Sequence, residues 1–106
     1  MSVRFDDCDC ELKFSQYANR RVAISLVDAH TGEPVATATV NVPDAACPSG
    51  CVFIKDWGDN AGVLAALTAA GVVRDAGTRV PCGFEQADLC YLRMDPATKK
   101  KVEVAS

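Results

Sequence analysis

The chain has 106 residues, 49% hydrophobic and 24% charged, with a formal net charge of −3. That length has room for one core, and that balance is of a globular chain, so a second domain and an intrinsically disordered chain are excluded. The acidic balance argues against direct DNA binding, which needs a basic stripe to neutralise phosphates; no apolar run reaches the roughly 20 residues of a membrane helix.

The opening MSVRFDDCDCELKF lacks the apolar centre of a secretory signal, so the expectation is a cytoplasmic chain. Leu12 and Phe14 then alternate with Glu11, Lys13 and Ser15, which marks the first strand of a three-stranded antiparallel meander over residues 11–42. Asn19 and Arg20 supply its first turn. Residues 21–28 place Val22, Ile24 and Leu26 on one face, Gly32 and Pro34 supply the next turn, and residues 34–42 alternate small apolar side chains with threonine.

Pro43 ends that strand and opens a loop over 43–51 that carries Cys47, Pro48, Gly50 and Cys51. Val52-Phe53-Ile54 forms a short buried strand. Asp59 or Asn60 is then placed to cap a helix over 61–70, packing through Val63, Leu64, Leu67 and Ala70 and stopping at Gly71. Two further strands, 72–82 and 84–94, are separated near Gly83. The expected fold is therefore α+β, an antiparallel sheet with one main helix on a face. Residues 1–96 make the single domain, and 97–106, with Lys99, Lys100 and Lys101, make a solvated tail. No internal repeat is present.

Six cysteines require an account. A chain with no secretory signal sits in a reducing compartment, where thiols stay free or bind metal, which moves metal ahead of disulfides. The pairs Cys8-Asp9-Cys10 and Cys47-Pro48-Ser49-Gly50-Cys51 offer four thiolates, and zinc prefers such a tetrahedral sulfur set. A structural zinc on Cys8, Cys10, Cys47 and Cys51 is the expectation, with Cys82 or His30 able to replace one of them. Topology raises an obstacle. In an up-down-up meander Cys10 lies at the Ala29 and Pro34 end, about 25 Å from the 43–51 loop at 3.3 Å per residue, so that loop must fold back. The alternative is that Cys8 and Cys10, sharing the parity of Leu12 and Phe14, are small core hydrophobes; Cys90, between Leu89 and Tyr91, belongs to the core.

No catalytic set stands out. The single histidine, His30, lies in a turn, and Asp28, Asp44, Asp56 and Asp59 are scattered over turns, where carboxylates bond their own backbone. Tyr17, Asn19, Arg20, Arg21 and Trp57 are the candidate partner-binding residues, because tyrosine, tryptophan and arginine dominate the energy of protein interfaces. Trp57 could instead cap the helix start.

Three stretches carry a family resemblance: Tyr17-Ala18-Asn19-Arg20-Arg21, Gly32-Glu33-Pro34 through Ala36-Thr37-Ala38-Thr39-Val40-Asn41, and Ile54-Lys55-Asp56 leading to Asp59-Asn60. Over about residues 12 to 93 the chain resembles small proteins carried by phages, plasmids and conjugative elements of Gram-positive bacteria, among which are metal-binding type II anti-CRISPR proteins. It departs from them at Arg20, where glycine is common, and in the cysteines at 8, 10, 47, 51 and 82. The resemblance implies a non-enzymatic inhibitor that binds Cas9 or its guide-RNA complex stoichiometrically. The alternative is a zinc-stabilised accessory module that binds nucleic acid or a plasmid-maintenance partner, favoured only by the lysine run.

Overall fold

Val3 and Phe5 alternate with Ser2 and Arg4, and this short period-2 pattern begins the sheet earlier than the sequence reading placed it. A computed structural model describes residues Ser2 to Asp95; the expected tail over 97–106 lies outside the described residues. Strand β1 (Ser2–Phe5) pairs antiparallel with β2 (Cys8–Gln16), with Phe5 opposite Cys8. The two intervening residues, Asp6 and Asp7, have φ of 53° and 58°. Two consecutive positive φ values match the right-handed twist of a two-residue hairpin, and aspartate tolerates them better than most side chains.

The meander continues through β3 (Val22–Asp28) and β4 (Pro34–Thr37), giving a four-stranded antiparallel sheet in the order β1-β2-β3-β4. Its register sets Val3 opposite Cys10, Leu12 opposite Leu26 and Phe14 opposite Ile24, so the apolar parity of each strand falls on one face. A second antiparallel sheet, in the order β5-β7-β6, is built from β5 (Cys51–Ile54), β6 (Val73–Cys82) and β7 (Glu85–Leu92). One core cluster joins the two inner faces, including Ile24 and Leu26 from the first sheet and Val52, Ile54, Cys90 and Leu92 from the second.

The third meander strand is shorter than its alternation suggests. After Thr37 the chain leaves the sheet and stitches it to the other. Ala38 N–H donates to Ile24 O at 2.8 Å, Val40 N–H to Phe53 O at 3.0 Å, and Thr39 bridges Ile54. Thr39, 3% exposed, also accepts the Ile24 N–H on its Oγ1 at 3.0 Å.

The helix differs from expectation at its start. A 3-10 turn over Gly58–Asn60 comes first, and α1 runs only over Val63–Ala69, after Gly62 at φ 97°. Neither Asp59 nor Asn60 caps it. Asp56 does, from farther upstream: its Oδ1 accepts the N–H of Gly62 at 2.9 Å and of Leu64 at 3.2 Å. Asn60 instead donates Nδ2–H to Thr37 O at 2.7 Å. The stop at Gly71 is as expected. Gly71, at φ 74°, donates to Thr68 O and Val72 donates to Leu67 O, which together satisfy the last carbonyls. Val63 and Leu67 are fully buried, and α1 packs on β1 of one sheet and β6 of the other. Among the described residues no helix is long and apolar enough to cross a membrane.

The loop from β2 to β3 carries a local cost. Tyr17 and Arg21 bracket three residues, and Arg20 sits at φ 68°, the left-handed position that favours glycine. Arg20→Gly should therefore stabilise the protein by about 0.5–1 kcal/mol, the relief of left-handed strain less the extra unfolded-state entropy of glycine. Urea denaturation checks this; an unchanged or lowered midpoint would mean that the Arg20 side chain makes a compensating contact.

Candidate functional site

The two cysteine pairs lie at opposite ends of the β2–β3 hairpin. Cys10 is opposite Asp28 at one end, whereas Cys47 and Cys51 share a surface cleft with Asn19, Arg20, Arg21 and Val22 at the other. The run from Cys10 to Gln16 separates them by about 20 Å at 3.3 Å per residue. The 43–51 loop does not fold back, so the expected tetrad of Cys8, Cys10, Cys47 and Cys51 does not converge. Among the described residues no group of three or more His, Cys, Asp or Glu side chains is placed to hold a metal ion, with or without Cys82 or His30.

Each pair is engaged locally instead. Cys8 donates its thiol to Asp28 Oδ2 at 3.3 Å, and Cys47 donates to Cys51 O at 3.4 Å. The hydrogen bond to Asp28, with burial, pushes the Cys8 thiol up to about 11. Burial raises Cys10, Cys47 and Cys51, and takes Cys90 to about 12. These thiols hold their protons at neutral pH, which makes them poor nucleophiles. The Asp28 carboxyl is held below its ordinary range, first by the backbone N–H groups of His30 and Thr31. It closes a turn.

The expected partner-binding set divides into clamps and free surface. Tyr17 Oη and Thr39 Oγ1 share a 2.9 Å hydrogen bond, and Asn19 Nδ2 donates to Asn41 Oδ1 at 3.1 Å. Arg21 grips the loop after the stitch: Nη1 donates to Val42 O at 2.6 Å, and Nη2 to Ala45 O at 2.7 Å and Pro43 O at 3.4 Å. These three side chains hold the fold. Arg20 is exposed at the turn, and Trp57 is half-buried with Lys55 Nζ 5.9 Å from its ring centroid.

The surface feature that the sequence reading missed is Phe84. Cys82 is opposite Glu85, so Gly83 and Phe84 are the two-residue turn of the β6–β7 hairpin, with Gly83 at φ 62°. Phe84 is 108% exposed, and it is the one large hydrophobic side chain fully exposed among the described residues. A shallow cleft of about 270 Å³ beside it is lined by Asp56, Trp57, Arg79, Glu85 and Asp88. On another side of the hairpin, Val80, Pro81 and Leu89 border an apolar cleft of about 520 Å³ with Val42 and Ala45 of the clamped loop. The hairpin thus forms an arm flanked by two clefts. Its stem is fixed by Arg79, whose Nε donates to Asp88 Oδ1 at 2.9 Å while Asp88 itself is 5% exposed. The signal in sequence was an aromatic residue directly after the turn glycine, which the strand alternation absorbed.

Comparison with family models, with curated proteins and with solved structures finds no match to this chain.

Proposed function

We propose that this chain is a non-enzymatic inhibitor of a host-defence effector, acting in the cytoplasm of a host bacterial cell by binding a protein through the β6–β7 arm. The observation that carries the reading is Phe84, a phenylalanine held wholly in solvent at a tight turn where it does nothing for the core. Exposed aromatic anchors of this kind supply much of the energy of protein interfaces. The raised cysteine thiols, and aspartates engaged in turns and caps, support occupancy over chemistry. The mobile-element resemblance points to Cas9 or its guide-RNA complex as the effector.

The test adds increasing protein to Cas9 cleavage reactions from several species, with direct association measured alongside. An inhibitor that works by stoichiometric occupancy should bring cleavage near zero by about one equivalent of effector, and Phe84→Ala should weaken inhibition about tenfold or more, the cost of losing an interface anchor. Full cleavage at a large molar excess in every reaction, with no complex detected, would overturn the reading.

A further inference from the structure

We infer that the cleft beside Phe84 receives an arginine or lysine side chain carried by the protein partner, an inference that rests on the arm being the binding surface. At about 270 Å³ the cleft falls below the roughly 300–1,000 Å³ of drug-sized ligand sites, so it takes one long side chain and not a whole small molecule. It is bordered by the Trp57 ring and the exposed Phe84 ring, by three carboxylates, Asp56, Glu85 and Asp88, and by the Arg79 guanidinium and the Gln86 amide.

The charges leave a deficit of cations. Arg79 is committed to Asp88 at 2.9 Å, and Asp56 spends one oxygen on two backbone N–H groups at the helix start. Glu85 makes no ion pair among the described residues. The Trp57 ring already draws a cation, since Lys55 Nζ lies 5.9 Å from its centroid. A guanidinium fits both kinds of wall: its faces stack on an aromatic ring while its edge donates to carboxylate oxygens. Phosphate or acidic peptide would meet uncompensated carboxylates.

Trp57 is the only tryptophan of the chain, so its emission reports on the cleft directly. The experiment titrates the full chain with a short arginine-rich peptide at low salt, and with a glutamate-rich peptide of equal length. The arginine peptide should change the emission saturably and the acidic peptide should not. Phe84→Ala should weaken the response about tenfold, and since that side chain is fully exposed the fold is unaffected. Glu85→Gln should weaken it severalfold, whereas Glu11→Gln, the same charge change at an exposed position of β2, should leave it as it was; Lys55→Met should strengthen it by removing a competing cation. No response to the arginine peptide, a response undiminished in Phe84→Ala, or equal losses in Glu85→Gln and Glu11→Gln would overturn the assignment. Peptide binding together with unimpeded Cas9 would reject the effector and keep the cleft, and Cas9 inhibition without a peptide response would do the reverse.

Discussion

Leu67→Ala should destabilise the protein by about 2–5 kcal/mol, the range for truncating a packed leucine. Leu67 is fully buried on α1, which packs on β1 of one sheet and β6 of the other, and it belongs to the core cluster that joins them. Alanine is at least as good a helix former as leucine, so the loss would come from the cavity and not from the helix itself. Because α1 has seven residues, too few to persist alone in water, its stability derives from this contact. A urea-denaturation loss below about 1 kcal/mol would mean that the neighbours collapse into the space or that the face is not packed.

Arg21→Met should cost about 1.5–3 kcal/mol, the scale of hydrogen bonds to a charged group, while keeping the apolar stem of the side chain. The guanidinium holds Val42, Pro43 and Ala45 by their carbonyl oxygens. Its removal should also make the 43–49 loop more susceptible to limited proteolysis. Phe84→Ala, by contrast, should leave stability within about 0.5 kcal/mol. The pair separates a clamp from an anchor: any functional loss in Arg21→Met should follow stability, and that in Phe84→Ala should not. Unchanged stability and proteolysis in Arg21→Met would mean that water replaces the guanidinium without cost.

Strands with strict alternation were legible in the sequence. Leu12, Phe14, Ile24 and Leu26 announce their shared face, and their register bears it out. Val3 and Phe5 carried the same signal in too few residues, and the Asp6-Asp7 turn lacks the glycine that would have marked it. The helix start was misplaced because Asp59 and Asn60 are good capping residues by type, whereas the capping oxygen belongs to Asp56 and reaches across the 3-10 turn. Tyr17 and Arg21 show the limit for binding residues. The same side-chain chemistry that anchors a partner can grip the chain's own Thr39 or Val42, and only the identity of the second atom distinguishes the two. Among the described residues the four cysteines do not converge, for a topological reason, the length of the hairpin, which pairwise spacing in sequence does not encode.

The stitch over residues 38–40 has a consequence for how the molecule comes apart. Because one short segment donates to Ile24 in the first sheet and to Phe53 in the second, opening either sheet at that point strips hydrogen bonds from the other. The amides of Ile24, Ala38, Val40 and Lys55 should accordingly exchange with solvent deuterium at one common, slow rate set by global unfolding, rather than by separate fluctuations of two independent halves.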